Sequence, residues 1–279
     1  MDIIEDDIRL FQNTIRDYSS YDFNDYSTKS LRRRLTKILQ EKDMDMIELT
    51  RELRNNSIFL EEIVKKITVT TTELFRDPEV WKHLRNDVFP GFEKKDSINI
   101  WHPGCSTGQE VYTSLILLDD AGLLEKSNIY ASDLNSDVLA LAKEGRYNYR
   151  FNKNYIENFD KTLNYSYNDE EKIRDISWNK YFTIDRARDN FQMKEFLLKK
   201  PVYNKIDLVK DSNHFFVNFD LIICRNVIIY FNYDLQNRVF DLFYKSLKEK
   251  GCLFLGFHES ILGPFSNRFI KNDQFYFKN

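Results

Sequence analysis

One glycine-spaced loop and three strand ends carry the groups in this chain that could do chemistry. The loop, Gly104-Cys105-Ser106-Thr107-Gly108, runs directly into Gln109-Glu110. Asp133 ends the run Asn128-Ile129-Tyr130-Ala131-Ser132, Asp207 ends Val202-Tyr203-Asn204-Lys205-Ile206, and Arg225-Asn226 ends Phe219-Asp220-Leu221-Ile222-Ile223-Cys224. Glycines let a backbone approach a ligand closely, and an acid at a strand tip can accept hydrogen bonds from both hydroxyls of a ribose. The spacing is G-x-x-x-G and not G-x-G-x-x-G, and Glu110 stands where a phosphate binder would want a basic or neutral residue. A carboxylate there suits a cationic ligand group. S-adenosylmethionine has a ribose and an ammonium and no phosphate. The same loop spacing occurs in α/β sheets that bind nothing at that point, so the case rests on several polar strand ends meeting at one rim.

These groups need a sheet to hold them. Ile98-Asn99-Ile100-Trp101-His102 has strand character, and a helix opens at Gln109 with Val111, Leu115 and Leu118 on its apolar side. After Asp133, Asn135 or Ser136 caps a helix through Val138, Leu139 and Ala142 that Gly145 ends. Residues 219–224 read as a buried strand, Leu235, Val239, Leu242 and Phe243 as a helix, and Cys252-Leu253-Phe254-Leu255-Gly256 as another buried strand. Strands alternating with helices predict a parallel sheet covered on both sides. Residues 268–270 and 274–277 predict a closing hairpin. From Arg146 to about Lys200 periodicity is poor. There, 181–184 and 191–196 flank a polar turn, which predicts an antiparallel hairpin projecting from the sheet and lying outside its core.

Before residue 66 the pattern is helical only. Ile8, Phe11 and Ile15 share one face, Leu31, Leu35 and Ile38 a second, Met46, Leu49 and Leu53 a third, and Ile63 and Val64 belong to a fourth helix. Lys29, Arg32, Arg33, Arg34 and Lys37 put five cations on the second helix, either a solvated face or a docking surface for an acidic partner. The β-branched stretch 67–72 suits an extended connector. Asp77-Pro78 then reads as N-cap and first helical residue, with Val80, Trp81, Leu84 and Val88 buried, and Arg76 before the cap reads as exposed.

With 279 residues and a net charge of −3, the chain can bury one large or two smaller cores and has no general attraction for nucleic acid or anionic lipid. No apolar run approaches the roughly 20 residues that span a bilayer. The acidic start, Met1-Asp2-Ile3-Ile4-Glu5-Asp6-Asp7, is unlike a secretory signal, so a cytoplasmic protein without membrane insertion is expected. Cys105, Cys224 and Cys252 are widely spaced, and the four histidines form no ligand cluster with them. Buried reduced thiols and no metal site are expected.

Longer strings sharpen this reading. Ser30-Leu31-Arg32-Arg33-Arg34-Leu35, Thr72-Glu73-Leu74-Phe75-Arg76-Asp77-Pro78, the segment 104–112, Ala131-Ser132-Asp133-Leu134, Cys224-Arg225-Asn226-Val227-Ile228-Ile229-Tyr230-Phe231 and Gly256-Phe257-His258-Glu259-Ser260 occur in this order over nearly the whole chain. With them the sequence resembles the chemotaxis receptor glutamate methyltransferases, the CheR family. The resemblance implies a class I S-adenosylmethionine-dependent methyltransferase, α/β and Rossmann-like with a seven-stranded sheet. It implies an all-helical domain at 1–68, a methyltransferase domain at 69–279 and a small antiparallel β subdomain inserted at about 176–200. It further implies methyl transfer to glutamate side chains on the cytoplasmic domain of a chemoreceptor or similar acidic helical protein, leaving S-adenosylhomocysteine.

By position in the family, Thr70, Thr72, Arg76, Gly104, Glu110, Asp133, Asp207, Leu208, Arg225 and Asn226 line the cofactor pocket. Glu110 matches the partner of the methionine ammonium, Asp133 that of the ribose hydroxyls, and Arg76 and Tyr230 match groups near the sulfonium methyl. Thr70 stands where many members have Asn, and Asp207 where Asn is common, although its carboxylate can still accept from the adenine amino group. A glutamate nucleophile is ionised at neutral pH, which explains why no catalytic histidine stands out. Two other readings are open: a module that binds the cofactor or its product without turnover, and a related class I methyltransferase with another substrate.

Overall fold

The computed structural model describes residues 3–68, 72–150, 152, 154–167 and 171–279. Four helices come first: α1 (Glu5–Tyr18), α2 (Thr28–Lys42), α3 (Met46–Asn55) and α4 (Ser57–Ile67). Their starts follow from local chemistry. The Asp45 side chain accepts from the Glu48 amide while Glu48 returns the bond, and the Asn56 side chain accepts from the Phe59 amide, so each helix begins with its free N–H groups partly satisfied. The four predicted apolar faces converge, and Ile8, Phe11, Ile15, Leu31, Leu35, Ile38, Met46, Leu49, Leu53, Ile63 and Val64 are buried in one cluster.

Next comes α5 (Pro78–His83), with proline at its first turn. Asp77 does not cap it: it sits at φ +57° and makes no capping bond, because its carboxylate pairs with Arg225 at 2.6 Å. A cap is worth about 1 kcal/mol, whereas an unpaired buried guanidinium costs several, so the ion pair wins.

The rest of the chain runs β1 (Ile98–Pro103), α6 (Gln109–Asp120), β2 (Ser127–Asp133), α7 (Ser136–Glu144), β3 (Arg146–Asn148), α8 (Asn154–Leu163), β4 (Phe182–Asp185), β5 (Asn190–Met193), α9 (Glu195–Leu198), β6 (Pro201–Lys205), β7 (Phe219–Cys224), α10 (Tyr233–Ser246), β8 (Leu247–Leu255), β9 (Phe269–Asn272) and β10 (Phe275–Lys278). The large sheet has the order β6-β2-β1-β7-β8-β10-β9. β6 through β8 are parallel, and the closing hairpin β9-β10 adds antiparallel. The chain moves outward from β1 through β2 to β6, then returns to β7 on the other side of β1. That reversal opens a crevice at the carboxyl ends of β1 and β7.

The hairpin predicted after Tyr181 forms, with Ile184 opposite Phe191 and Asp185 opposite Asn190, but it differs from expectation in two ways. Its sheet has a third strand, β3, that precedes the expected 176–200 range, and residues 195–198 are helical. Nor does it stand apart from the core: Tyr147, Tyr155, Phe159, Phe182 and Phe191 share one apolar cluster with α6 and the large sheet. Phe182 and Phe191 stack at 4.3 Å, and aromatic faces of this size are stable only when covered. The covering explains α6, which was expected to bury one side and is buried from Val111 to Leu118 without a break. Among the described residues no helix is long and apolar enough to cross a membrane, and no group of side chains could hold a metal ion. All three cysteines are buried and free.

Candidate active site

The crevice at the switch point is a cavity of about 1180 Å³, counting its open mouth. Thr72, Arg76, Gly104, Glu110, Asp133, Asp207, Leu208, Arg225, Asn226 and Tyr230 all line it. Thr70, the remaining expected residue, lies outside the described residues. Five separate segments deliver these groups, so the cavity exists only once the sheet has formed.

Its charged end is built around Arg225. The guanidinium is fully buried, donates to Glu110 at 3.0 Å and to Asp77 at 2.6 Å, and packs against the Trp81 and Phe254 rings, which meet edge to face, at 5.3 and 5.1 Å from their centroids. Enclosed in this way, it fixes the position of Glu110. Burial pushes the Glu110 carboxyl up to about 7 even though Arg225 opposes the shift. Below that pH Glu110 takes up a proton and loses its attraction for an ammonium group. Affinity for S-adenosylhomocysteine is therefore expected to fall about eightfold between pH 7.5 and pH 6.0, because its own ammonium, beside a carboxylate, stays charged across this range. Calorimetric titration at both pH values checks this, and a flat profile would remove Glu110 from the ammonium site.

Arg76 is not simply exposed. It lies between two residues in the left-handed region, Phe75 at φ +55° and Asp77 at φ +57°. Strain of about 1–3 kcal/mol at such positions persists only where the surroundings enforce it. Here the Phe75 amide donates to Thr113 Oγ1 at 2.9 Å, and the Arg76 carbonyl accepts from Trp81 Nε1 at 2.8 Å and from Arg225. The backbone is held firmly, while the Arg76 side chain makes no salt bridge or hydrogen bond among the described residues and lines the cavity.

Asp133 accepts from the Ser106 amide at 2.9 Å and the Asn135 amide at 3.0 Å, which ties the glycine loop to the end of β2. Burial raises its pKa and that of Asp207 despite these bonds, so three acids at one cavity are held with less solvent than they would take in water. Arg34, Arg76 and Arg225 also line the cavity, so it offers charges of both signs, and the acids suit a ligand's ammonium and hydroxyl donors. Leu134, Ile206, Leu208 and Val209 add an apolar wall.

The loop tolerates no larger residues at two points. A Cβ on Gly104 would lie 2.6 Å from Val227 Cγ2, and one on Gly108, at φ +89°, 2.8 Å from the Ala142 Cβ. Gly108→Ala is expected to lower stability by about 2 kcal/mol through strain and overpacking, measurable by urea unfolding. An unchanged midpoint would mean that the loop can shift.

The helical unit enters the site directly, which its reading as a separate docking unit did not foresee. Tyr26, Ser30, Leu31 and Arg34 line the cavity, the Ser27 amide donates to the Tyr230 carbonyl at 2.8 Å, and Tyr26 bridges Phe231. Lys29, Arg32, Arg33 and Lys37 are exposed, but Arg34 lies 5.3 Å over the Tyr230 ring and donates to the Lys66 carbonyl. Arg34 thus leaves the basic face for the cavity. Its place beside Leu35, on the side of α2 that carries Leu31 and Ile38, was the available signal. His102 sits buried under the loop against Ser114 at 2.9 Å, and burial lowers its pKa to about 3, so it is neutral and structural.

Fold and site together define a class I S-adenosylmethionine-dependent methyltransferase. The donor set fits that cofactor: acids for the ammonium and the ribose diol, and an apolar wall for the base. Residues 70–167 and 151–274 match the family described as CheR methyltransferase, SAM binding domain. The chain belongs to the CheR methyltransferase family. It is 37% identical to the Pseudomonas putida protein Cher3 over 266 residues, 94% of this chain and 92% of that one. It is also similar to chemotaxis protein methyltransferases of Borreliella burgdorferi, at 32% identity over 76% of this chain and 72% of that one, and of Listeria monocytogenes, at 25% over 94% and 92%.

Proposed function

We propose that this methyltransferase esterifies glutamate side chains on the cytoplasmic domain of a chemoreceptor. The observation that carries the reading is Arg76: a cation at the cavity wall whose side chain makes no salt bridge or hydrogen bond among the described residues, although it stands near enough to Glu110 to help hold that carboxyl down. An incoming carboxylate would find there the fork that a carboxylate needs. S-adenosylmethionine supplies the activated methyl on its sulfonium. The protein orients and excludes water, with Glu110 and Asp133 holding the two polar ends of the cofactor, Asp207 and Leu208 the base, and Arg76 and Tyr230 the substrate carboxylate. No general base is required, because a glutamate is already ionised at neutral pH. Arg225 acts through Glu110, since its guanidinium is fully enclosed.

The test is transfer of labelled methyl groups to receptor cytoplasmic fragments, with release by mild base as the mark of an ester. Cofactor binding without transfer would favour a sensor, and base-stable label a different substrate.

The basic face of α2 supports an acidic helical partner. Lys29, Arg32 and Arg33 are exposed and make no salt bridge among the described residues. Lys37 is also exposed but pairs with Glu41 at 3.7 Å. Reversing Arg32 and Arg33 to glutamate is expected to raise the KM for receptor about tenfold at low salt, with cofactor affinity unchanged. Equal loss of both would remove the docking role. A receptor's cytoplasmic domain as partner fits work at the cytoplasmic side of the membrane.

A further inference from the structure

Residues 225–231 carry Arg225, Asn226 and Tyr230 from the end of β7 towards α10. This stretch has only a short 3-10 turn, Ile228–Tyr230, and Asn226 lies at φ +60°. Its amides cannot be satisfied by strand pairing and need another acceptor. Glu259 supplies it from beyond β8. Its Oε2 accepts from the Asn226 and Gly256 amides, both at 2.8 Å, and its Oε1 from the Ile228 amide at 2.8 Å and the Ile229 amide at 3.3 Å. Glu259 is 6% exposed and makes no salt bridge among the described residues. A carboxylate so enclosed is stable only because four N–H groups replace its water. A Cβ on Gly256 would come within 2.8 Å of Glu259 Oε2 and 2.9 Å of the Asn226 nitrogen, so this approach requires glycine at the end of β8.

We propose that Glu259 is a positioning residue for methyl transfer: by fixing the amides of Asn226, Ile228 and Ile229 it sets the direction in which Tyr230 enters the cavity, and it touches neither cofactor nor substrate. Glu110 and Asp133 stand on α6 and β2 and take no bond from Glu259; Arg225 joins this loop to Glu110 and the charge of Glu259 reaches Glu110, so loosening 226–229 is expected to cost turnover much more than cofactor affinity. The assignment rests on the role given to Tyr230 above.

Glu259→Gln keeps size and shape but turns an amide NH2 towards N–H donors, which breaks at least one pair of bonds. Expected results are a turnover at least 30-fold lower on receptor fragments, a Kd for S-adenosylhomocysteine within fivefold of wild type, and faster amide hydrogen exchange confined to peptides covering 226–229 and Gly256. Glu259→Asp retains the charge but reaches less far, and should recover part of the turnover. It also stands in should the Gln variant fail to fold. Turnover within threefold of wild type in both variants overturns the proposal, as does parallel loss of turnover and cofactor affinity. Exchange at 226–229 is read without any substrate, so wild-type inactivity on receptor glutamates would refute the proposed function and leave the staple to be judged by exchange.

Discussion

Arg76→Ala is expected to lower turnover of methyl transfer by about 10²- to 10³-fold while the Kd for S-adenosylhomocysteine changes less than fivefold. The asymmetry follows from where the residue is held. Its backbone is fixed by Thr113, Trp81 and Arg225, all of which bind main-chain atoms and survive the truncation. What is lost is the guanidinium, and with it the alignment of a carboxylate oxygen behind the methyl carbon; misplacement by about 1 Å can cost a factor of 100. Arg76→Lys should recover only part, because an ammonium keeps the charge without the planar fork. Single-turnover measurement with saturating cofactor separates these outcomes. An alanine variant that turns over like wild type would end the assignment of Arg76 to the substrate.

The second large effect is on binding. Asp133→Ala is expected to weaken cofactor affinity by at least 100-fold, since it removes the acceptor for two hydroxyls and releases the Ser106 amide that keeps the glycine loop in place. Hydrogen bonds to a charged group contribute about 1.5–3 kcal/mol each, and two of them reach this range. Stability should fall by only about 1–2 kcal/mol, because water can enter and solvate the freed amides at the cavity wall. Calorimetry and thermal unfolding on the same preparation give both numbers. A change in affinity below threefold would mean that the ribose is held elsewhere. Asp133→Asn, which keeps one acceptor, should fall between the two.

Much of this site was legible residue by residue. Polar groups at the ends of apolar runs marked Asp133, Asp207 and Arg225-Asn226, and the short loop before Glu110 marked a cationic ligand; all of them line one cavity. Two kinds of feature were not legible. Pairings between distant segments leave no periodic trace, so Asp77 read as a helix cap although its carboxylate is 148 residues from its partner Arg225. Nor did the match to Glu259 suggest a role, because a carboxylate that binds only main-chain amides has no complementary side chain to betray it. The aromatic stretch between 146 and 200 was misjudged for a related reason. Apolar spacing shows that a face must be covered, and does not show by what.

The order of residue types along the chain therefore determined the alternation of strands and helices, the rim where polar groups gather, and the sign of charge that a ligand must bring. These depend on backbone periodicity and on near-neighbour chemistry, which a linear text records. Tertiary structure alone decided that α2 turns Arg34 onto Tyr230, that Arg225 is enclosed by two rings and two acids, and that Glu110 is buried enough to titrate near neutrality. Each depends on how much water is left beside a group when segments far apart in the chain close over it.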